Sequence, residues 1–261
     1  MVARSDALTA ASGLSYRRAG TGQPLVLVHG YLGGSAQWQA EIDRFSAGYD
    51  VIAPDLPGFA ASAGCNPVDR IEGFVAAIIG LLDELGVTTF MLMGHSMGGM
   101  IAQEMAARHG DRVTRLVLYG TGPLGVMPDR FETLDISRQR LRADGVAETT
   151  RRIGATWFRD GEQATGFGLV AALGAQASEA AAMGALDAMD HWDGRPAIPT
   201  LTMPSLVIWG DGDKSYRWPQ TEALWRALPD AGLAVLPRAA HAAHLEKPGI
   251  FQAMLGEFLA G

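Results

Sequence analysis

Cysteine is nearly absent from this chain. Cys65 is the single cysteine among 261 residues, so a disulfide within the chain and a structural zinc site built from cysteines are both excluded. Basic residues are also few, because 21 lysines and arginines face 28 aspartates and glutamates and leave a net charge of −7. A protein with this balance repels polyanions through its overall field. We therefore expect no nucleic acid among its partners.

Long apolar runs are missing as well. No apolar stretch approaches the roughly 20 residues that a membrane-spanning helix needs, and residues 1–11 lack the basic region and apolar core of a secretory signal. We therefore expect a cytoplasmic protein with no membrane partner. Hydrophobic residues still make up 48% of the chain, which predicts a globular protein with a sizeable core. The sequence leaves the oligomeric state open.

Short apolar runs alternate with stretches of helical periodicity along most of the chain. This alternation predicts an α/β fold, with a mostly parallel central sheet flanked by helices. The predicted strands are 14–18, 25–28, 49–53, 90–93, 116–119, 205–209 and 233–236. The predicted helices are 35–47, 68–85, 100–109, 219–228 and 248–259.

The rhythm of strands and helices breaks after Tyr119. The next convincing core strand begins at Ser205, and the segment between them is rich in alanine and arginine. A structureless loop of this length is uncommon in a compact domain. The sequence therefore predicts a core formed by 1–122 and 200–261, with 123–199 inserted between core strands as a helical cap.

A serine stands at the centre of the pentapeptide Gly94-His95-Ser96-Met97-Gly98. The pentapeptide lies between a predicted strand and a predicted helix, and its two glycines permit a sharp turn. Such a turn lifts the hydroxyl above the sheet edge. The N–H of the next residue lies at a helix start, where unpaired N–H groups favour negative charge. The pattern predicts a nucleophile elbow with Ser96 as the nucleophile.

Candidate partners for this serine follow two later strands. Ligands of open α/β sheets bind at the carboxyl ends of the strands, where the chain places Asp211 and Asp213 after one strand and His241 and His244 after the last. A serine hydroxyl needs an imidazole to take its proton, and the imidazole needs a carboxylate to fix its tautomer. Strand position alone leaves both acids and both histidines open.

Five motifs, taken in order, resemble the α/β-hydrolase superfamily over nearly the whole chain. They are His29-Gly30-Tyr31, Asp55-Leu56-Pro57-Gly58-Phe59, the pentapeptide 94–98, Gly210-x-x-Asp213, and His241 followed by Glu246 and Pro248. The order serine, acid, histidine is also that superfamily's order. The chain looks most like its capped esterases, enol-lactonases and carbon–carbon bond hydrolases. Ala60 departs from the pattern, because the family often has glycine there.

The resemblance implies a role for each candidate in the triad. The family places its acid three residues after the glycine that ends the strand, which selects Asp213 over Asp211. Its histidine lies five residues before the glutamate Glu246, which selects His241 over His244. Ser96, Asp213 and His241 are therefore the expected catalytic residues.

The resemblance also implies an oxyanion hole made of two backbone N–H groups. One comes from the residue after the nucleophile, which is Met97, and one from the loop after the predicted strand 25–28. Tyr31 matches the second position, and Leu32 is the alternative to it. The glycines Gly33 and Gly34 leave this loop free to turn its N–H groups inward.

Residues of the predicted cap are candidates for substrate contact. Three aromatic residues are expected either to line a pocket over Ser96 or to pack the cap onto the core, namely Trp157, Phe158 and Trp192. The cap also carries five clustered arginines, which are expected to form a solvated helix face unless one points inward to bind a substrate carboxylate. These are Arg138, Arg140, Arg142, Arg151 and Arg152.

The expected activity is that of a serine hydrolase that cleaves a small carboxylic ester or lactone through an acyl-serine intermediate. The partner is a small-molecule substrate, and no metal or organic cofactor is implied. The first alternative is a carbon–carbon bond hydrolase of a vinylogous diketone. In that group the oxyanion loop typically runs His-Gly-x-Gly-Pro-Gly, which differs from residues 29–34 here. A ligand receptor on a hydrolase scaffold is a further alternative, although a receptor does not need a triad.

Overall fold

The computed structural model describes residues 6–261. Residues 1–5 lie outside the described residues. They are the first residues of the predicted core segment 1–122 and of the stretch 1–11 in which no secretory signal is expected. The described residues contain an eight-stranded sheet in the order β1-β2-β4-β3-β5-β6-β7-β8. Its strands are β1 (Leu8–Thr9), β2 (Ser15–Ala19), β3 (Gln23–Val28), β4 (Tyr49–Pro54), β5 (Phe90–His95), β6 (Val113–Tyr119), β7 (Ser205–Gly210) and β8 (Ala231–Leu236).

Most of this sheet is parallel. β2 pairs antiparallel with β1 and β4, whereas every pairing from β4 through β3, β5, β6 and β7 to β8 is parallel. The carboxyl ends of the parallel strands therefore meet at one edge. This arrangement confirms the predicted α/β fold class, and it shows how residues that are distant in sequence are gathered at one site.

Helices cover both faces of the sheet. The helices are α1 (Gln39–Phe45), α2 (Ile71–Glu84), α3 (Met97–Arg108), α4 (Leu134–Ala155), α5 (Phe167–Gly174), α6 (Glu179–Asp190), α7 (Trp218–Ala227), α8 (Ala243–Glu246) and α9 (Pro248–Ala260). Within residues 6–261 no single helix is long and apolar enough to span a membrane, and α5 and α6 pass that test only as a pair bent by 102°.

The side-chain alternation of β3 explains its continuous apolar sequence. Leu25 and Leu27 pack on one face in a cluster with Trp38 and with residues of α1 and α9. Val26 and Val28 point to the other face and join a cluster with residues of α2 and α3. A strand that is covered on both faces is apolar at every position, and these two clusters form the core on either side of the sheet.

The segment between β6 and β7 is helical, and it contains α4, α5 and α6. Its two ends lie side by side, because Leu124 pairs with Asp193 in an isolated antiparallel bridge. Arg138 of α4 forms ion pairs with Asp187 and Asp190 of α6. At Gly145 the helix α4 is interrupted by non-helical backbone, with φ 75° and ψ 174°. The segment is thus held to itself by contacts between its own helices.

Several boundaries differ from those predicted by the sequence. The predicted helix 35–47 divides into a 3-10 turn over Ser35–Trp38 and the helix α1. The predicted helix 68–85 begins only at Ile71, because Arg70 is extended with φ −140° and ψ 141°. The strand β1, which spans two residues, was not predicted. Pattern periodicity is too coarse to locate single turns such as these.

Candidate active site

Ser96 lies at the turn between β5 and α3 in a conformation that is rare for a residue with a side chain, with φ 60° and ψ −122°. Backbone outliers of this kind cost on the order of 1–3 kcal/mol and persist only where neighbours enforce them. Here the Ser96 N–H donates to the carbonyl of Tyr119 at 3.0 Å. The Thr121 hydroxyl donates to the Ser96 carbonyl at 2.8 Å. Both contacts come from the adjacent strand β6 and the residues that follow it.

The two glycines of the pentapeptide are required by close backbone contacts. A Cβ on Gly94 would lie 2.1 Å from the carbonyl oxygen of Gly98, and a Cβ on Gly98 would lie 2.4 Å from the carbonyl oxygen of Val28. Neither contact can be relieved by a side-chain rotation, because both involve backbone. The glycines therefore let α3 start directly against β3 and β5, and this leaves Ser96 at the tip of the turn.

Asp213 and His241 form a buried hydrogen-bonded pair. His241 Nδ1 lies 2.8 Å from Asp213 Oδ2, and both side chains are fully buried or nearly so. The second carboxylate oxygen accepts hydrogen bonds from the N–H groups of Ser215 at 2.7 Å and Tyr216 at 3.0 Å. The carboxylate is thus fixed through both oxygens, and Nε2 is the imidazole nitrogen that stays free to face a substrate or nucleophile.

The competing acid and base lie elsewhere. Asp211 is exposed, and its N–H donates to the carbonyl of Leu236. His244 is buried, and its Nδ1 lies 3.1 Å from the hydroxyl of Tyr119. Burial lowers the pKa of His244 to about 3, so this imidazole is neutral near pH 7. The acid and histidine that the resemblance favours are therefore the two that the structure brings together.

Two buried side chains form hydrogen bonds with the backbone carbonyl of His241. Its carbonyl accepts hydrogen bonds from the Tyr119 hydroxyl at 2.8 Å and from His95 Nε2 at 3.0 Å. Because a carbonyl can only accept, the proton of neutral His95 must be on Nε2. Burial and the neighbouring His241 lower the pKa of His95. The residue before Ser96 thus links the elbow to the loop that carries His241.

Both predicted oxyanion groups belong to residues close to Ser96. Met97 is the first residue of α3, and Tyr31 follows β3. No described residue accepts a hydrogen bond from the backbone N–H of either one. A Cβ on Gly30 would lie 2.8 Å from the Cβ of Ser96, so the loop that carries Tyr31 passes directly beside the nucleophile. Two unpaired N–H groups in this position are suited to bind a developing oxyanion.

The motif at residues 55–59 holds this loop. Asp55 Oδ1 accepts a hydrogen bond from the N–H of Ser35 at 2.6 Å. His29 Nε2 accepts one from the N–H of Leu56 at 2.9 Å, while its Nδ1 lies 2.8 Å from the carbonyl oxygen of Gly30. The ring of His29 therefore joins the two loops through both nitrogens. The sequence had marked these residues as a motif without showing what the carboxylate of Asp55 contacts.

Ser96 and His241 line an enclosed cavity of about 20 Å³. This volume admits about one water molecule, so a substrate can enter only when the walls of the cavity move. Most of the walls come from the segment between β6 and β7 and from the loop after β7. The lining residues are Tyr31, Ser96, Met127, Arg130, Phe131, Ile153, Trp157, Met189, Ser215, Tyr216 and His241.

Of the three predicted pocket aromatics, the structure brings only Trp157 to this cavity. Its ring meets that of His241 edge to face, with the ring centroids 5.5 Å apart. Phe158 points away from the cavity and lines a separate surface cleft. Trp192 lies outside the cavity lining, and its Nε1 donates to Glu104 of α3 at 3.2 Å. Phe158 and Trp192 are both buried outside the lining of this cavity, which agrees with the alternative that they pack the segment onto the core.

The arginine cluster of the segment is used for ion pairs. Arg138 pairs with Asp135, Asp187 and Asp190, Arg151 pairs with Glu162, and Arg140 and Arg152 both pair with Glu132. Arg142 is exposed. None of the five lines the cavity that contains Ser96.

Two polar residues of the cavity were missed by the sequence reasoning. The ring of Tyr216 stacks on that of His241, with centroids 5.6 Å apart and an interplanar angle of 12°. Burial raises the pKa of Tyr216 to about 12, although the nearby Arg130 guanidinium and, to a smaller degree, hydrogen bonding with the Ser96 side chain oppose this rise. Its hydroxyl is therefore protonated near pH 7. Tyr216 follows Asp213 by three residues, which was the available signal. Arg130 carried no signal, since it stands alone in a loop.

Across residues 6–261 no group of three or more histidine, cysteine, aspartate or glutamate side chains is arranged to hold a metal ion. The polar groups around Ser96 are instead a serine, an imidazole paired with a carboxylate, a phenol and a guanidinium. This set can transfer protons and stabilise negative charge.

The chain is similar to known hydrolases in sequence. The family model described as alpha/beta hydrolase fold matches residues 23–248. The chain belongs to the α/β-hydrolase fold family. A 2-hydroxy-6-oxo-6-phenylhexa-2,4-dienoate hydrolase of Burkholderia cepacia is 30% identical over 93% of this chain and 89% of its own length. The chain is thus a hydrolase of this family. The bonds that its relatives cleave differ from one relative to another.

Solved structures of the α/β-hydrolase family share the whole fold. The enol-lactonase of Burkholderia xenovorans superposes with a TM-score of 0.87 at 23% identity, covering 98% of this chain and 100% of its own. An esterase of Thermogutta terrifontis with malate bound superposes with a TM-score of 0.86 at 26% identity, covering 99% and 98%. These likenesses extend over the core and over the helical segment between β6 and β7.

Proposed function

We propose that this α/β hydrolase is a serine hydrolase that cleaves a small carboxylic ester or lactone through an acyl-serine intermediate. The observation that carries the proposal is the 2.8 Å pair of His241 Nδ1 and Asp213 Oδ2 beside a cavity that His241 shares with Ser96. The helical segment 123–199 is proposed to be the cap that closes this cavity. The named relatives act on small molecules, which supports a small-molecule substrate, and the proposed chemistry needs no cofactor.

The proposed reaction has two halves, in which Ser96 is first acylated and the acyl-serine is then hydrolysed. Ser96 Oγ attacks the substrate carbonyl while His241 Nε2 takes the proton of the serine hydroxyl. The backbone N–H groups of Tyr31 and Met97 bind the oxyanion that forms. The tetrahedral intermediate collapses, the C–O bond to the leaving group breaks, and His241 returns the proton to the leaving oxygen. Water then attacks the acyl-serine, His241 takes its proton, and the acid product leaves while Ser96 is reprotonated.

Asp213 keeps the proton of His241 on Nδ1 and stabilises the imidazolium that forms in each half of the reaction. Tyr216 lies flat against this imidazole and limits its rotation. The carbonyl contacts of His95 and Tyr119 fix the loop from the opposite side. These contacts place the base before the substrate arrives, so little reorganisation is needed during the reaction.

Active-site labelling tests the proposal. A fluorophosphonate should modify the wild-type chain at Ser96 with a stoichiometry near one, as measured by intact mass and peptide mapping. Ser96→Ala should abolish both labelling and turnover of p-nitrophenyl esters, whereas Ser12→Ala, which changes an exposed serine, should affect neither. A wild-type chain that resists labelling and hydrolyses no ester or lactone would contradict the proposal and would favour a ligand receptor.

A second candidate activity is carbon–carbon bond hydrolysis of a vinylogous diketone. The relative of Burkholderia cepacia and several others with similar names favour it. The oxyanion loop, which reads His29-Gly30-Tyr31-Leu32-Gly33-Gly34, lacks the Gly-Pro-Gly ending typical of that group and places this activity second. A panel of aryl esters, lactones and 2-hydroxy-6-oxo-dienoates separates the two. A kcat/KM for a dienoate above that of every ester and lactone would favour the second activity.

A further inference from the structure

Arg130 lines the cavity that contains Ser96 and forms no ion pair with any described carboxylate. Its Nη1 is buried without a hydrogen-bond partner. Within the described part of the chain its guanidinium forms no ion pair, although Glu132, Tyr216 and Tyr31 lie near enough to interact with it electrostatically, and its Cζ lies 5.4 Å from the centroid of the Phe131 ring. Burying a charge without a partner is costly. A guanidinium kept in this state beside a nucleophile points to an anionic ligand.

The adjacent carboxylate does not neutralise Arg130. Glu132 is buried, and its Oε1 accepts a hydrogen bond from Ser137 at 2.5 Å. Its Oε2 is shared by Arg140 at 3.1 Å and Arg152 at 2.5 Å. Two guanidinium groups are bonded to this one carboxylate, and Arg130 interacts with it only through space, so the three cations together exceed the charge of Glu132. Burial lowers the pKa of Arg130, which is the direction expected for a cation that has no bound anion.

A second unpaired donor lies in the same cavity. The hydroxyl of Tyr31 is buried without a hydrogen-bond partner, and Tyr31 lines the cavity with Arg130. A guanidinium only donates, and a phenol of raised pKa stays protonated and can donate as well. Two donors of this kind complement the two oxygens of a carboxylate, which Arg binds through its planar fork.

The loop that carries Arg130 is fixed by the start of α7. Gln220 Nε2 donates to the carbonyl of Pro128 at 2.8 Å, and Arg217 Nε donates to the carbonyl of Asp129 at 3.1 Å. Asp129 itself adopts φ 63°, so the backbone turns directly before Arg130. A side chain presented from a held loop loses less conformational entropy when it binds a ligand.

We propose that Arg130 and the Tyr31 hydroxyl bind a carboxylate of the substrate while Ser96 attacks a second carbonyl of the same molecule. The substrates are then hemiesters of dicarboxylic acids, or lactones that carry a free carboxylate. This inference rests on the proposed function, because it assigns the acyl part of the molecule that Ser96 attacks. Arg130 is half-buried as a residue, and binding gives its buried, unpartnered Nη1 a charge-assisted hydrogen bond.

A matched pair of esters tests the inference. Mono-p-nitrophenyl succinate and p-nitrophenyl butyrate have acyl chains of the same carbon number, and only the succinate carries a terminal carboxylate. The wild-type enzyme should have the higher kcat/KM for the hemisuccinate. Arg130→Met should lower the hemisuccinate-to-butyrate ratio of kcat/KM about 30-fold or more, since truncating one partner of a buried charged pair is a large loss. Tyr31→Phe should lower the ratio by a smaller factor.

Arg142→Met is the matched control, because it removes an exposed arginine of α4, and it should leave the ratio unchanged. Arg130→Gln provides a second neutral variant in case Arg130→Met does not fold, as judged by circular dichroism. An unchanged ratio in a folded neutral variant of Arg130 would overturn the inference.

Binding without turnover separates this inference from the proposed function. Succinate should bind the Ser96→Ala chain in isothermal titration, and it should bind the Ser96→Ala/Arg130→Gln chain at least about 30-fold more weakly. If succinate binding depends on Arg130 but the wild-type chain hydrolyses no ester, the carboxylate site stands and the proposed function fails. If the wild-type chain hydrolyses both esters while Arg130→Gln changes neither binding nor the ratio, the site fails and the proposed function stands.

Discussion

Asp213 shows how one residue is specified by its hydrogen bonds. Its Oδ2 faces His241, and its Oδ1 accepts from two backbone N–H groups of the following turn. The neighbouring Asp211 is exposed and makes none of these contacts. The two carboxylates are separated by one glycine in sequence, yet only one of them can control the tautomer of the histidine.

We predict that the single change Asp213→Asn removes most of the hydrolytic activity. The amide oxygen can keep the two backbone hydrogen bonds, which leaves the amide NH2 facing His241 Nδ1. That nitrogen must then accept, so the proton moves to Nε2, and the imidazole cannot take the proton of Ser96. The loss in kcat is expected to be on the order of 10⁴, and steady-state kinetics with a p-nitrophenyl ester measures it.

Asp211→Asn is the matched control for this change. It alters an exposed carboxylate and should change kcat by less than about threefold, because surface substitutions rarely disturb a buried site. Thermal unfolding of both variants checks that neither loses the fold. A larger loss of activity in Asp211→Asn than in Asp213→Asn, at equal stability, would show that the acid is assigned to the wrong residue.

At the scale of elements, α1 buries a carboxylate against α9. Glu41 is fully buried, and its Oε1 accepts one long hydrogen bond of 3.3 Å from Gln252. Its Oε2 is buried without a hydrogen-bond partner. Burial therefore raises the pKa of Glu41 to about 7 from its ordinary value of 4.5. The folded chain therefore keeps a proton on Glu41 at pH values where the unfolded chain has released it.

This burial predicts a pH dependence of stability. Between pH 4.5 and about 7 the folded chain keeps the proton of Glu41, whereas the unfolded chain loses it, so the stability contributed by this residue falls as pH rises. The total effect is on the order of 3 kcal/mol. Glu41→Gln should remove it. Urea unfolding at pH 5 and pH 8 should show that the variant gains stability relative to the wild type as pH rises.

Glu257→Gln on α9 is the control, because Glu257 is exposed and should give the same difference from the wild type at both pH values. Comparison with the wild type at each pH also cancels other groups, including His244, whose lowered pKa acts with the opposite sign. If the difference between Glu41→Gln and the wild type is constant from pH 5 to pH 8, Glu41 does not titrate as a buried acid.

At the scale of the whole molecule, the segment between β6 and β7 lies over the carboxyl ends of the strands. A Cβ on Gly58 would lie 2.3 Å from the Cβ of Ala181 in α6, and a Cβ on Gly174 in α5 would lie 2.8 Å from the carbonyl oxygen of Leu32. The segment and the core thus touch closely at both the motif 55–59 and the oxyanion loop. The shape of the cavity is set jointly by these two parts.

Two tryptophans of the segment should respond differently to truncation. Trp157 lines the cavity and meets His241, so Trp157→Ala should change the ratio of kcat/KM between acetyl and benzoyl p-nitrophenyl esters. Trp192 is buried outside the cavity lining, so Trp192→Ala should lower the free energy of unfolding by about 3–5 kcal/mol and leave that ratio unchanged. Kinetics on both esters and urea unfolding of both variants make the comparison. A shifted ratio in Trp192→Ala, or an unchanged ratio in Trp157→Ala, would contradict it.

The apolar runs and glycine spacing of the sequence predict seven of the eight described strands and the turn at Ser96. Strands such as β3 and β5 are covered on both faces, so every position is apolar and the strand is visible as a continuous run. The glycines at 94 and 98 are required by backbone contacts within one strand–turn–helix unit, so their spacing alone predicts the turn at Ser96. Local sequence encodes these features because the atoms that enforce them are close in the chain or repeat with the period of a strand.

The surroundings of the nucleophile depend on contacts between distant parts of the chain. Strand position left Asp211 and Asp213 both open, and the choice that the resemblance implied depends physically on a contact with His241, 28 residues further along the chain. Trp157 and Phe158 are adjacent in sequence, but they face different cavities. Arg130 is distinguished from the clustered arginines Arg138, Arg140, Arg142, Arg151 and Arg152 because it lines the cavity that contains Ser96, which is a property of its surroundings and not of its neighbours in sequence. Pairing, direction and burial of a side chain arise only when distant elements pack together, so the pattern of residues could not specify them.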